Sequence, residues 1–284
     1  MNQSNTLQDY ITDTVRTALK EDIGRGDLTA ALIPVDALSS AQVISREPAT
    51  VCGVSWVNEV FSQLDPRIQI NWQVADGDQV LENQVLCELN GASRTLLTGE
   101  RTALNFLQTL SGTASLSHRY ALAVQGTGTK VLDTRKTIPG LRLAQKYAVT
   151  CGGCYNHRLG LYDGVLIKEN HIQAAGSISA AVSAVMQMVE ADINTMLIEV
   201  EVESLAQLQQ ALDAGVNRIL LDNMDSETLV KAVTLTQGRA KLEASGGITL
   251  ENIRSVAQTG VDYISVGLLT KDIHAVDLSM RFIE

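Results

Sequence analysis

The sequence predicts an α/β protein in which a small sheet domain precedes a series of parallel βα units. Three observations carry this. Residues 41–90 hold short β-like runs separated by turn residues. Beyond residue 112, short apolar runs alternate with stretches long enough for one helix each. Each of those later runs closes on polar, charged or glycine residues.

In order along the chain, Leu7, Ile11, Val15 and Leu19 recur every four residues between Thr6 and Lys20, the spacing of an amphipathic helix. It ends before the turn Gly24-Arg25-Gly26-Asp27. Strands are expected at Ala41–Ser45, Ile68–Val74 and Val85–Leu89, with hairpin chemistry in Asp76-Gly77-Asp78. The hairpin of a lipoyl- or biotinyl-carrier domain would present a modifiable lysine; here Glu82-Asn83-Gln84 stands in its place. Glu100–Leu110 is predicted to be a helix stopped by Ser111-Gly112. A boundary there divides the chain into 1–112 and 113–270, with the tail 271–284 packing on the first domain.

Six apolar runs follow: Lys130–Leu132, Val165–Ile167, Met196–Val200, Ile219–Leu221, Lys241–Ala244 and Tyr263–Val266. Their polar ends lie 35, 33, 21, 23 and 22 residues apart, which leaves room for helices such as Ser179–Val189, Ser204–Ala214 and Leu250–Gln258. Such a series closes into a barrel or opens into a doubly wound sheet. In both, the site forms at the C-terminal ends of the strands. Those ends hold Arg135, Lys136, Lys168, Glu201 and Asp222.

The bulk numbers exclude several classes. At 284 residues, 45% hydrophobic and 19% charged, the chain can bury a sizeable core. No run approaches the roughly 20 apolar residues of a membrane span. Met1–Asp9 lacks the blocks of a signal peptide, so a cytoplasmic protein is expected. A net charge of −10 argues against nucleic acid or an anionic membrane as partner. Yet residues 91–171 carry ten Lys/Arg against four acids, a basic middle suited to a small anion.

Ser245-Gly246-Gly247-Ile248 follows a strand and precedes a helix that Thr249 is placed to cap. Small residues let backbone N–H groups approach a phosphate, and Gly267 at the next strand end adds a second such loop. Glu201 and Asp222 are placed to hold Mg²⁺, to bond sugar hydroxyls or to steady a positive transition state. Glu199 and Glu203 share the strand parity of Glu201, which leaves the choice among the three open. The cationic candidates are Arg101, Arg135, Lys136, His157, Arg158 and Lys168; the arginine fork matches carboxylates. Cys151-Gly152-Gly153-Cys154 is the one CxxC, and two glycines between the thiols read as a tight turn rather than a metal or redox pair.

Asp133-Thr134-Arg135-Lys136-Thr137-Ile138-Pro139-Gly140 resembles the hallmark segment of the quinolinate phosphoribosyltransferases. Asn156-His157-Arg158, Leu166–His171, Glu199–Glu203, Leu221–Met224, Glu243–Ile248 and Val261–Gly267 resemble further family segments in the same order, and the likeness spans roughly residues 24 to 280. It departs from the family's usual pattern at Gly152-Gly153-Cys154-Tyr155 and at Lys271-Asp272.

The resemblance implies an N-terminal α/β sandwich joined to an incomplete, six- to seven-stranded parallel α/β barrel. It implies an enzyme joining quinolinate to phosphoribosyl pyrophosphate with Mg²⁺, in a homodimer whose Arg101 reaches the neighbouring subunit's site. Quinolinate would meet Arg135, His157, Arg158 and Lys168. The phosphoribosyl donor would meet Lys136, Lys168, Glu201, Asp222, Ser245, Gly246, Gly247 and Gly267, and the adjoining Thr134, Val266 and Leu268 complete the substrate-binding set. Three rivals stand beside this reading: a molybdenum-locus homologue with another acceptor, a barrel aldolase using Lys168 as a Schiff-base amine, and a non-catalytic anion binder.

Overall fold

This computed structural model describes residues 3–188 and 196–283, which divide into two compact units. In chain order the elements up to the first parallel strand are α1 (Gln3–Ile23), β1 (Leu38–Ser45), β2 (Ala49–Thr50), α2 (Val54–Leu64), β3 (Gln69–Trp72), β4 (Gln79–Val80), β5 (Val85–Ala92), α3 (Ser93–Ala123) and β6 (Lys130–Leu132). Then come α4 (Arg142–Cys151), β7 (Gly164–Ile167), α5 (Glu169–Ala175), α6 (Ile178–Met188), β8 (Leu197–Val202), α7 (Leu205–Asp213) and β9 (Arg218–Asp222). The chain finishes with α8 (Ser226–Thr236), β10 (Lys241–Ser245), α9 (Ile253–Ala257), β11 (Tyr263–Ser265), α10 (Leu268–Lys271) and β12 (Leu278–Ile283).

The first unit takes in the chain up to His118, the segment Thr137–Gly153 and everything from Thr270 onward. Its sheet has the order β12-β1-β5-β3, antiparallel throughout, with the C-terminal strand zipped to β1 by pairs such as Val43↔Met280. Alternation puts Ala41 and Val43, paired with Leu89 and Cys87, into the core, and the register shift beside Val43 brings Leu86 in as well. They pack with Ile11, Val15 and Leu19 of α1, Trp56, Val57, Val60 and Phe61 of α2, and Leu96, Leu104 and Leu107 of α3. Ala144 and Ala148 of α4 join the same core, so 137–153 groups with this unit, a redistribution the linear order of elements does not announce.

Helix α3 corrects one expectation. Ser111-Gly112 does not stop it; the helix runs unbroken to Ala123. The Ser111 hydroxyl is instead spent on the Cys52 backbone, accepting from its N–H at 2.9 Å. A Cβ on Gly112 would stand 2.2 Å from the His274 carbonyl oxygen. The glycine is there for close approach of another chain segment, and its helix-breaking tendency of about 1 kcal/mol is overridden by that packing. Helix α2 has no local N-cap residue: Asp76, more than twenty residues on, accepts from the N–H groups of Gly53 and Val54.

In the second unit, Arg119–Lys136 and Cys154–Leu269, six parallel strands take the order β6-β11-β10-β9-β8-β7. The first strand lies beside the last. A doubly wound sheet reverses direction part-way; this order wraps round, so the unit is an incomplete α/β barrel with β6 and β7 at its two ends. One isolated bridge, Leu132↔Tyr155, extends β6. Ser204 and Asp225 cap α7 and α8 through their side chains, as short βα loops require. Helix α6 ends at Met188; Val189 of the expected Ser179–Val189 lies outside the described residues. The stretch Leu250–Gln258 is a shorter helix than expected, and Thr249 does not cap it. Asn252 accepts from the Thr249 N–H at 2.9 Å and donates to the Gly247 carbonyl at 2.8 Å, closing a turn before α9 begins. No helix among the described residues is long and apolar enough to cross a membrane.

Candidate active site

The C-terminal ends of β6 to β11 surround a cavity of about 330 Å³ lined by Thr134, Arg135, Lys136, His157, Arg158, Leu166, Lys168, Glu201, Leu220, Glu243, Ser245 and Ser265. Eight of these are residues that the sequence nominates. A larger open groove in the first unit gathers Asp36, Asp65 and Arg67, but Arg67 is already tied to Asp65 through both guanidinium arms at 2.8 and 2.7 Å. That groove presents no comparable convergence of groups.

The cavity is assembled from the strand ends outward. Buried Asp133 caps β6, and its carboxylate accepts from the His157 backbone N–H at 2.9 Å. Together with the Leu132↔Tyr155 bridge, this draws the His157-Arg158 segment to the end of β6. Thr134 accepts from the Lys136 N–H at 3.1 Å, so the two cations leave the strand in a tight turn. Arg158 donates to the Gly164 carbonyl at 2.8 Å. Burial, and then the Arg135 guanidinium beside it, push the Arg158 pKa down. Two guanidiniums this close repel each other, and the electrostatics of that corner of the cavity favour an anion.

Lys168, at the end of β7, bonds the Glu201 carboxylate from the neighbouring β8. His171 serves structure: its Nδ1 accepts from the Lys168 N–H at 2.9 Å and starts α5. The strand parity that left three glutamates open is resolved by depth. Glu203 is exposed, Glu201 faces the cavity and Glu199 is fully buried.

Asp222 ends β9 opposite Ser245 in the ladder, and accepts from the Asn223 amide at 2.9 Å. Gly246 has φ +92°, and a Cβ there would fall 2.0 Å from Asn223 Oδ1, so only glycine fits this loop. Gly267 packs under Lys136: a Cβ added to it would stand 3.1 Å from Lys136 Cδ and 3.7 Å from Thr134 Oγ1. Val266 donates its N–H to Leu132 O at 2.9 Å and is buried; Leu268 opens α10. Asp222, Gly246, Gly247, Val266, Gly267 and Leu268 thus flank the cavity or follow its strands rather than line it. Arg101 lies in the first unit, exposed on α3, and is outside the cavity lining.

Of the thiols, Cys151 lies with Cys52 and Asp76, their ligand atoms within 4.8 Å of one another. Both Asp76 oxygens are already engaged, one at the start of α2 and the other by the Tyr147 hydroxyl at 2.8 Å. Cys154 is buried, and burial, then nearby Asp133, push its thiol up to about 12. Gly152-Gly153 forms the turn expected of it.

Beneath the cavity is a group that the sequence alone does not single out. Arg218 of β9 donates to Glu199 at 3.2 Å and to Glu243 at 2.6 Å, and stacks 4.2 Å from the centre of the Tyr263 ring. His157 Nε2 lies 2.9 Å from Glu199 and 3.6 Å from Glu243. Arg218 opens β9 beside Glu199, one step before the Val200↔Ile219 pair, whereas Glu243 stands opposite Leu220, so their meeting depends on side-chain reach that strand spacing does not show.

Fold and site together define an α/β-barrel protein with a cationic pocket, flanked by carboxylates and a glycine loop, at the mouth of its strands. The chain matches the family models "Quinolinate phosphoribosyl transferase, N-terminal domain" over residues 27–111 and "Quinolinate phosphoribosyl transferase, C-terminal domain" over 113–281. It is 43% identical to a Bacillus subtilis protein named "Probable nicotinate-nucleotide pyrophosphorylase (carboxylating)", over 92% of this chain and 89% of the relative. It is 39% identical to quinolinate phosphoribosyltransferase (decarboxylating) 1b of Nicotiana tabacum, over 94% and 81%. The solved nicotinate-nucleotide pyrophosphorylase of Francisella tularensis superposes with a TM-score of 0.92 at 46% identity, over 97% of each chain. The chain belongs to the quinolinate phosphoribosyltransferase family.

Proposed function

We propose that this protein transfers phosphoribosyl from 5-phosphoribosyl 1-pyrophosphate to quinolinate with loss of CO₂, giving nicotinate mononucleotide and pyrophosphate. The observation that carries the reading is the convergence of Arg135, Arg158, Lys136 and Lys168 on one cavity in a chain of this family. Each unit-charge pair at about 4 Å gains roughly 4 kcal/mol at an effective dielectric of 20, before desolvation. One pair barely offsets its own burial. Several acting on a dianion do more.

Arg135, Arg158 and His157 are assigned to the acceptor and hold it so that its ring nitrogen faces C1 of the ribose. Lys136, Ser245 and the Gly246–Gly267 loops receive the donor's phosphates. As the nitrogen attacks and pyrophosphate leaves, Glu201 and Asp222 favour the positive charge developing on the sugar. The 2-carboxylate then departs as CO₂; the electron pair left on C2 is stabilised by the adjacent quaternised nitrogen and takes up a proton from water, giving the C2–H of nicotinate mononucleotide. Two carboxylates at the mouth, hard oxygen donors on adjacent strands, suit Mg²⁺. Bound with the donor, the ion would neutralise charge on the leaving pyrophosphate. Arg101 belongs to the pocket of a second copy in a homodimer, and the enzyme works in the cytoplasm.

The ion pair between Lys168 and Glu201 ties that amine to a carboxylate, which speaks against a Schiff-base aldolase. Purified protein supplied with quinolinate, the donor and Mg²⁺ should form nicotinate mononucleotide. Failure under those conditions, in a folded preparation that still binds the donor, would remove the proposal in favour of another acceptor.

A further inference from the structure

A pocket meant for a dianion should not have a net negative floor, yet two glutamates lie there. Glu199 and Glu243 sit two residues deeper along their strands than Glu201 and Ser245, about 6.6 Å further in, and both are wholly buried. One guanidinium, Arg218, bonds both of them. His157 lies beside both, and Arg158 acts electrostatically on Glu199. His157 Nδ1 accepts the Arg158 backbone N–H at 2.7 Å, and Nε2 is directed at Glu199. Glu243 is thus a buried carboxylate with less compensation than Glu199. Burying its charge is costly, and a group so placed takes up a proton instead.

The geometry says which carboxylate takes it. Glu199 accepts from two donors, Arg218 through Oε1 and His157 through Oε2. Glu243 accepts from Arg218 alone through Oε2, and its Oε1 is buried without a hydrogen-bond partner, 3.6 Å from His157 Nε2. We propose that Glu243 works as the neutral acid: its proton removes a buried negative charge from beneath the cationic rim, which then holds a dianionic acceptor more tightly. Glu243 is therefore a positioning and charge-setting residue for the reaction proposed above, on which the kinetic part of its test rests.

The groups facing Glu243 are Arg218 from β9, Glu199 from β8, His157 from the segment after Cys154, and the Tyr263 ring paired with it on β11. Burial, then the nearby Glu199 charge, push the Glu243 carboxyl up to about 7, while Glu199 is held below its ordinary value. The direction agrees with the donor count. A metal ion on His157, Glu199 and Glu243 would balance the charge as well, but Arg218 and the His157 Nε2 hydrogen already occupy three of the carboxylate oxygens.

The test compares the wild-type protein with Glu243→Gln, which keeps shape and removes charge, and Glu243→Ala. In the wild type, kcat/KM for quinolinate should fall about tenfold per pH unit above about pH 7, as Glu243 ionises, with the donor's KM unaffected. Glu243→Gln should keep kcat/KM at about pH 6.5 within threefold and lose that alkaline limb, whereas Glu243→Ala should lose at least tenfold at every pH. Independently of turnover, the infrared band of a protonated carboxyl should be present in the wild type at about pH 6, disappear on titration towards about pH 9, and be missing in Glu243→Gln. A folded Glu243→Gln that loses quinolinate binding, an alkaline limb that survives the substitution, or absence of the band at the lower pH would overturn the proposal. Absence of turnover in the wild type at all pH values would sink the functional reading alone, because the infrared titration still decides the state of Glu243.

Discussion

The rim and the floor of the pocket are built from the same six strands and follow opposite rules. At the rim, Arg135, Lys136, Arg158 and Lys168 carry like charges at strand ends, where loops and partial solvent access tolerate them. At the floor, Glu199 and Glu243, two residues further in, share the Arg218 guanidinium and face His157. A concentration of cations at the rim is what an anion site needs. Uncompensated negative charge at the floor would oppose both folding and binding, so the interior is arranged to limit it.

Removing the floor's cation should break this comparison most severely. Arg218→Met leaves two buried carboxylates without their shared partner, a loss of about 3–5 kcal/mol, read as a fall in Tm. Adding Glu243→Gln to Arg218→Met should recover part of that loss above about pH 7, where Glu243 would otherwise ionise. At the rim, Arg158→Ala should leave Tm within a few degrees. It should raise the quinolinate KM by roughly 30-fold or more, with little effect on the donor's KM, in line with about 2–5 kcal/mol for a buried hydrogen-bonded charge. Equal effects on both substrates would place Arg158 elsewhere. Nicotinate, with one carboxylate fewer, leaves rim cations unpaired and should be used at least about a thousandfold less well. Comparable turnover of the two acids would mean that the rim does not select a dianion.

Stability against pH sharpens the contrast further. For Glu243, a folded-state pKa raised from 4.5 to about 7 means its contribution is complete below the unfolded value. That contribution fades as pH rises through the folded one. The Tm of Glu243→Gln relative to wild type should therefore be higher at about pH 8 than at about pH 5; the reverse trend would show that the acid is ionised throughout. The smallest effect belongs outside both sets. Tyr155→Ala removes a ring 4.9 Å from Lys130 Nζ, worth about 0.5–1 kcal/mol at an exposed site, and should leave both Michaelis constants unchanged.

The rim was legible because charge at a strand end needs only one-dimensional information: where an apolar run stops and which residues come next. The floor was not, because Glu199, Arg218 and Glu243 meet across three strands, and parity alone cannot tell a buried glutamate from Glu201 or Glu203 beside it. Barrel against open sheet likewise depended on β6 pairing with β11, the most distant strand of the series. Two helices show the same dependence on distant residues. Helix α2 carries apolar residues at 54, 57, 60, 61 and 64, a readable period, but its cap comes from Asp76. Ser111-Gly112 reads locally as a stop, yet both residues answer to distant backbone, Cys52 and His274.

The proposed dimer has its own test, by mixing. Arg101→Ala and Arg135→Ala, each inactive alone, should on dissociation and reassembly regain about a quarter of wild-type activity, since half of random dimers are mixed and each has one intact site. No recovery in demonstrated mixed dimers would confine Arg101 to its own chain.

The central claim is that this pocket joins a dianionic acceptor to the phosphoribosyl donor and then releases its 2-carboxylate. Simultaneous measurement of CO₂ and pyrophosphate from carboxyl-labelled quinolinate tests it directly. The account predicts one CO₂ for each pyrophosphate, both dependent on quinolinate, with nicotinate mononucleotide as product. Pyrophosphate released without CO₂, or neither released by folded protein with both substrates and Mg²⁺, would contradict it.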